Sequence, residues 1–363
     1  MAKKKILFVG NLNSIHTLKW INFFAKKKFE IGIVSSQEPN LTEKKVNSNI
    51  NKFIYNKFSN KYLNLLYILF KIKLSEKKFE KYDIVHIHYL GVLSLISLLF
   101  KKKKIISTVW GSDVNKAKTI PLRNFFLQKV LDNSYLITTD AYSMKNTLVK
   151  KYRIKKDNIK IINFGIDTNY FVKKKFSFNY AKTIRYNKKN LTVVSLRNHY
   201  KGYDIPTLIK AVKLASKKIK ITCLIYSSGK LTNYYAQLIQ KLNLKDNILL
   251  MGGFNQKKLL DIFSITDLYI STSLSDGGIA ASTAEAMSCE VPCAITDNSD
   301  NKYWIHDNIN GYLFKNKSVL QLSSILINFD KEKSKNFGLL ARKKILKFNS
   351  YNQEMNKMLK FYI

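Results

Sequence analysis

The chain has 363 residues, 46% of them hydrophobic and 13% aromatic, which supports two ordinary domain cores and excludes wholesale disorder. Its formal net charge of +39 points to anionic partners: nucleic acid, anionic lipid or phosphorylated small molecules. Only five of the 63 cations are arginine, the residue best suited to bidentate reading of base edges, so nucleic acid is disfavoured among the three.

The N-terminal "MAKKKILFVGNLNS" is basic, but its apolar run is too short for a secretory h-region. The first elements then read strand "KILFVG", polar turn "NLNSIHT", helix "LKWINFFAKK" and strand "FEIGIVSS". The alternation continues with "YDIVHIHYL" leading into an apolar helix, "KIISTVWGSD" into "RNFFLQKVL", then "YLITTD" and "IKIINFGID". Strands alternating with helices predict a doubly wound parallel sheet. The longest near-apolar run, "YLGVLSLISLLF", is shorter than a bilayer span.

"TNYFVKKKFSFNYAKTIRYNKKN" is charged and aperiodic and reads as a connection. After it the alternation restarts: "LTVVSL", "IPTLIKAVKLASKK", "KITCLIYSSG", "NYYAQLIQKLNL", "NILLMGG", "KKLLDIFSIT", "DLYISTS", "VPCAITD" and closing helices. The expected organisation is an N-terminal Rossmann-like domain over 1–168, a linker over 169–190 and a second Rossmann-like domain over 191–345. The last segment, 346–363, is expected to be a helix packing back on the first domain. Three cysteines with no paired framework and no C-x-x-C suit a reducing compartment, so a cytoplasmic location is expected.

In open α/β sheets ligands bind beyond the carboxyl ends of the strands, which directs attention to the loops there. "HIH" puts His86 and His88 on one strand face, the start of a metal site, yet no nearby Cys, Asp or Glu completes a familiar ligand spacing. His86 reads as a buried, hydrogen-bonded core residue, whereas His88 lies nearer the strand end and is expected to line a cleft. "SLRNHYKG" sets Arg197 and Lys201 four apart after a strand, where two cations can converge on a diphosphate. Residues 271–292, "STSLSDGGIAASTAEAMSCEVP", contain no Lys or Arg in this lysine-rich chain. There Gly277 and Gly278 permit close backbone approach, a helix N-terminus offers unpaired amides to a phosphate, and Glu285 can accept from sugar hydroxyls. The competing reading is a tight turn with a small-residue helix packed on a sheet, and spacing alone barely separates the two.

In order and spacing these segments resemble the retaining nucleotide-sugar glycosyltransferases of family 4, which have the GT-B fold. "SIHTLKWINFFAKK", "YDIVHIHYLG", "STVWGSDV", "IINFGIDTNYF", "LRNHYKGYDIPTLIKA" and "DGGIAASTAEAMSCEVPCAITDNSDNKYWIHDNINGYLF" are similar to successive elements of that family. The resemblance implies an α/β chain of two Rossmann-like domains facing each other across a cleft. It implies a nucleotide-sugar donor, UDP-linked by default, held mainly by the second domain. A saccharide or lipid-linked acceptor would lie on the first, with no required metal and no further cofactor. Carried over by position, Arg197 and Lys201 would hold the diphosphate and Glu285 the ribose. Gly277, Gly278 and Ile279, with Asn13 and Ser14 of the first loop, would contact the donor. Asp276 stands nine positions before Glu285, one more than the family's E-x7-E pair, and position 277 itself is Gly, so either Asp276 supplies the first acid through an altered turn or a backbone group serves. The basic pair is also one residue closer than usual. Trp110 replaces an acceptor-side histidine, leaving His88 and Asp113 as polar candidates for catalysis.

The resemblance suggests surface polysaccharide or glycolipid assembly. "NKYLNLLYILFKIKLSEKK" and "LISLLFKKKKI" combine apolar residues with lysine clusters, and suit peripheral attachment to an anionic membrane as well as ordinary helices with basic outer faces. The alternatives are a GT-B sugar-nucleotide epimerase, which needs acid/base groups beyond those placed above, and a basic nucleic-acid-binding protein.

Overall fold

A computed structural model describes residues 4–38, 46–117, 120–184 and 186–363. The chain forms two compact units, one made of 1–164 with 353–363, the other of 165–352.

The first unit is built on a seven-stranded, all-parallel sheet. Its strands are β1 (Lys5–Val9), β2 (Glu30–Ser35), β3 (Ile50–Ile54), β4 (Ile84–His88), β5 (Lys104–Val109), β6 (Leu136–Thr139) and β7 (Ile159–Ile161), in the spatial order β3-β2-β1-β4-β5-β6-β7. β1 from Ile6 onward and all of β4, its two histidines included, are buried because both faces of a parallel sheet are covered. On one face Leu7, Val85 and Ile105 pack with Ile68, Val130 and Leu148 from the helices Lys61–Leu74, Pro121–Asp132 and Tyr142–Tyr152. The apolar segment after β4 forms a 3-10 helix, Val92–Leu99, instead of an α-helix. The edge strand β3 is half polar, with Asn51 and Lys52 exposed, so its sequence carries little strand pattern.

The last eleven residues complete this unit. Helix Lys331–Phe348 stops at Asn349, and helix Tyr351–Leu359 follows. The buried Glu354 carboxylate accepts from the Asn163 amide at 2.8 Å. Tyr362 is fully buried, packs edge-on against Phe24 and Phe8, and hydrogen-bonds Nδ1 of His86 through its hydroxyl. Nε2 of His86 meets Thr108 Oγ1 at 2.7 Å, so this histidine is the hydrogen-bonded core residue expected of it.

The second unit holds a six-stranded parallel sheet: β8 (Leu191–Ser195), β9 (Ile221–Tyr226), β10 (Ile248–Gly252), β11 (Leu268–Ser271), β12 (Cys293–Thr296) and β13 (Tyr312–Phe314), ordered β10-β9-β8-β11-β12-β13. Val193, Ile225 and Ile270 pack against Leu208, Val212 and Leu322 of the helices Ile205–Ala215 and Val319–Ile327. The segment 169–190, expected to be a free linker, belongs to this unit. It contains the short helix Phe178–Thr183 and is tied down by Lys174 to Asp261 at 2.6 Å, by the Tyr180–Tyr226 hydroxyl pair, and by Arg342 donating to the Phe171 carbonyl at 3.0 Å.

Candidate active site

In each sheet the strand order reverses once, between β1 and β4 in the first unit and between β8 and β11 in the second. The connecting helices leave to opposite faces there, and the diverging loops open a site at the strands' carboxyl ends. The singled-out residues sit at these two places.

In the second unit β8 ends at Ser195 and delivers Arg197, while β11 ends at Ser271 and delivers residues 272–280. Arg197 Nη2 meets Asp276 Oδ1 at 2.5 Å, with the two side chains only 10% and 9% exposed. Ser273 Oγ donates to the same Asp276 oxygen at 3.1 Å, and the guanidinium lies over the Tyr203 ring at 4.4 Å. Burial works against the Arg197 charge, but Asp276, Tyr269 and Tyr203 outweigh it and raise the pKa above the ordinary arginine value. Arg197 is thus a fixed, partly neutralised cation, with Nε buried and without a hydrogen-bond partner.

The two loops are laced together by backbone. The Leu274 amide donates to the Gly202 carbonyl at 2.8 Å, and Thr272 Oγ1 to the Tyr203 carbonyl at 2.8 Å. Lys201 begins the 3-10 turn Lys201–Tyr203 and is exposed, four residues after the buried Arg197. From the other side Asn298 donates to the Ser273 carbonyl at 2.6 Å and accepts from the Asp276 amide at 3.2 Å. Asn298 and Tyr203 escape sequence reasoning because polar loop residues carry no pattern until their neighbours are known.

Beyond the turn, helix Ala281–Ser288 starts without a side-chain cap, which leaves its first-turn amides to an anion. Tyr269 Oη and Ser282 Oγ, 2.8 Å apart, pin that first turn to β11. Gly277 is half-buried at the turn and Gly278 buried; Glu285, half-buried, is the fifth residue of the helix. Ile279 is buried at 4%, so its side chain packs beneath the turn and only its backbone is offered to a ligand.

In the first unit the β1 and β4 loops are equally close: a side chain at Gly10 would meet His88 Cβ at 3.2 Å. Ser14 caps helix Ile15–Lys26 by accepting from the Thr17 amide, and the exposed Asn13 side chain donates to Gln37 Oε1 at 3.3 Å. Two expectations fail here. His88 does not line an open site: it is 2% exposed and enclosed by Trp20, Phe8, His86 and Trp110, and neither ring nitrogen has a hydrogen-bond partner. Burial, then the neighbouring His16, pushes its pKa down to about 3, so the ring is neutral and supplies no proton at physiological pH. Trp110, stacked on His16 at 4.8 Å, closes one side of this enclosure.

Asp113 is likewise fully buried. Its carboxylate accepts from the amides of Leu90 at 3.0 Å, Trp110 at 3.3 Å and Val114 at 3.0 Å. Burial raises its pKa and these amides oppose the rise; held by three amides and closed off from solvent, it braces the β4 and β5 loops. Asn13, Ser14, His88 and Asp113 therefore belong to the first unit, and Arg197, Lys201, Asp276, Gly277, Gly278, Ile279 and Glu285 to the second, where Arg197 and Asp276 are in direct contact. Among the described residues no group of three or more His, Cys, Asp or Glu side chains could hold a metal ion, and no helix is long and apolar enough to cross a membrane.

Residues 177–344 match the family described as glycosyl transferases group 1, and residues 5–141 match glycosyl transferase 4-like. The chain is 22% identical over 273 residues to N-acetyl-alpha-D-glucosaminyl L-malate synthase of Bacillus anthracis, covering 73% of this chain and 70% of that one. Among solved structures it resembles sucrose-phosphate synthase from Thermosynechococcus elongatus, with a TM-score of 0.83 at 13% identity over 99% of this chain and 98% of that one. It also resembles Anabaena HepE in complex with UDP-glucose, with a TM-score of 0.78 at 15% identity over 98% and 99% of the two chains. At such identities the structural likeness speaks for the fold.

Proposed function

The chain is a glycosyltransferase of group 1 with the GT-B fold, and from that premise we propose that it moves a sugar from a nucleoside-diphosphate donor to a saccharide or lipid-linked acceptor with retention of anomeric configuration. The second unit takes the donor and the first the acceptor. The observation that carries this reading is the joining of the Arg197 and 272–280 loops at the β8/β11 switch point.

Charge builds on the diphosphate as the glycosidic bond to it breaks. In this reading the Arg197 guanidinium, the exposed Lys201 and the uncapped amides of helix Ala281–Ser288 stabilise it, and the transfer proceeds without a metal; the buried Arg197–Asp276 pair and the uncapped helix start support it. Asp276 holds Arg197 in one orientation through a single oxygen, with Ser273 on the same oxygen. It acts as a positioning residue for the diphosphate clamp, in place of the first acid of the family's pair. Glu285 receives the ribose hydroxyls, and Gly277 and Gly278 let the backbone lie against the sugar phosphates. Asn13 and Ser14 at the head of helix Ile15–Lys26 are the first unit's own candidates for contact with a ligand.

The donor is taken to be a UDP-sugar, the class named with the Anabaena relative. The acceptor class and the basic surface favour surface polysaccharide or glycolipid assembly at the cytoplasmic face of a membrane. A thermal-shift panel of nucleotide sugars tests the reading, since a ligand bound only by the folded chain raises Tm by mass action. One nucleotide sugar should raise Tm more than its free nucleotide, and Arg197→Ala should abolish the shift. A panel with no shift at saturating concentrations overturns the donor assignment.

A further inference from the structure

A helix that is apolar all round is ordinarily buried. Helix Lys61–Leu74, "KYLNLLYILFKIKL", breaks this expectation. Leu65, Ile68 and Ile72 bury one face in the first unit's core. On the opposite face Leu63, Leu66, Phe70 and Leu74 recur at spacings of three, four and four, and with Tyr62 they are each between 51% and 66% exposed. At 3.6 residues per turn these form one stripe pointing away from the core. The helix is held firmly in that pose. Asn60 caps its start by accepting from the Tyr62 and Leu63 amides, while buried Asn64 accepts from the Lys57 amide at 2.9 Å and donates to the Tyr55 carbonyl at 3.0 Å.

Charge frames the stripe. Residues 57–81 contain seven lysines against two glutamates. The 3-10 helix Val92–Leu99, packed beside this helix, leaves Leu99 exposed and runs directly into Lys101, Lys102, Lys103 and Lys104. Lys103 donates to the Glu80 carbonyl at 2.6 Å, which ties that tract to the same edge. A second copy of the chain would set this lysine cluster against itself across an isologous contact. An anionic bilayer offers apolar depth for the stripe and negative charge for its rim.

We propose that the outer face of helix Lys61–Leu74, flanked by the Lys101–Lys104 tract, is a docking surface that lays this unit on an anionic lipid bilayer. The inference deepens the reading of a membrane-borne acceptor by naming the surface that meets the membrane. It is tested without donor or acceptor, so its failure is separate from that of the transferase reading.

The test is co-sedimentation of the full chain with phosphatidylcholine vesicles, with and without a phosphatidylglycerol fraction. Wild type should bind the anionic vesicles, and added salt should weaken that binding. Leu66→Ser with Phe70→Ser should lower the partition constant by about tenfold or more, since each removes exposed apolar surface available for insertion. Lys101→Glu with Lys102→Glu should remove the preference for phosphatidylglycerol. Leu320→Ser, at a 74% exposed position of the second unit, should change nothing, and all variants should melt with wild type because every altered side chain is exposed. Equal binding to neutral and anionic vesicles at low salt overturns the proposal, as does undiminished binding by the Leu66/Phe70 variant. A lipid-free dimer in analytical ultracentrifugation that the same double variant abolishes would assign the stripe to a second copy and overturn it too.

Discussion

Arg197 and Asp276 pair across two loops that leave neighbouring strands, 79 residues apart in sequence, in surroundings where each is about nine-tenths buried. A charge removed from one side of such a pair strands the other in a poorly solvated place.

Arg197→Ala is therefore expected to act twice. Transfer should fall by about 100- to 1,000-fold through loss of the group facing the developing charge. Stability should fall by about 3–5 kcal/mol because Asp276 is left buried and unpaired. Steady-state rates and denaturant melts of Arg197→Ala and of the double variant Arg197→Ala/Asp276→Ala separate the two effects. The double variant should recover most of the stability and none of the rate.

Asp276→Ala leaves the opposite imbalance, a buried guanidinium with no counter-ion. A bound diphosphate then supplies the missing negative charge. The Tm increment given by saturating UDP should be larger in Asp276→Ala than in wild type, even though the unliganded variant melts lower. Equal increments would mean that Arg197 does not reach the diphosphate.

Glu285→Gln keeps the size of the side chain and removes its charge. Hydrogen bonds to a charged acceptor contribute about 1.5–3 kcal/mol, so the donor KM should rise by about 10- to 100-fold while the acceptor KM holds. Initial-rate kinetics with each substrate varied in turn would read this out.

His88 gives the fold a pH dependence of definite sign. Its ring is held neutral in the folded chain, with a pKa pushed to about 3, whereas in the unfolded chain it protonates near the ordinary value of 6.5. Below about 6.5 the unfolded state binds the extra proton, so stability falls on acidification by about 1.4 kcal/mol per pH unit for this one group, and the loss continues toward pH 3. Burial lowers the His86 pKa as well, which adds to the same trend. His88→Leu should flatten part of the slope in Tm measured between pH 7.5 and 5, without lowering Tm at the upper end of that range.

Tyr362→Phe should cost about 1–3 kcal/mol because His86 Nδ1 loses its partner in a dry site. Tyr362→Ala should cost about 3–5 kcal/mol through the cavity left among Phe8, Phe24 and Phe29. Chemical denaturation of both variants gives the comparison.

β1 and β9 were legible as largely apolar runs because parallel strands bury both faces. β3 was not, since an edge strand with Asn51 and Lys52 exposed carries no such pattern. Arg197 and the turn containing Gly277 and Gly278 stood out by composition: one of only five arginines, and the cation-free segment 271–292. Their pairing through Asp276 did not, because a side chain's direction within a turn depends on partners such as Asn298 and Tyr203 that sequence spacing cannot supply. His88 and Asp113 misled for a related reason. A polar residue at a strand's carboxyl end reads the same whether it opens to solvent or, as here, is sealed behind Trp110 or saturated by backbone amides.

The bond between His86 and Tyr362 spans 276 positions of sequence. The first unit is therefore interrupted, with the whole of 165–352 inserted between its sheet and the segment that seals its core. On the ribosome its sheet emerges early, yet the pocket among Phe8, Phe24 and Phe29 stays unfilled until every residue of the second unit has been made. Order of synthesis and order of completion are thus reversed: the unit that begins first closes last, and a ribosome stalled anywhere before residue 353 carries a sheet whose sealing segment does not yet exist.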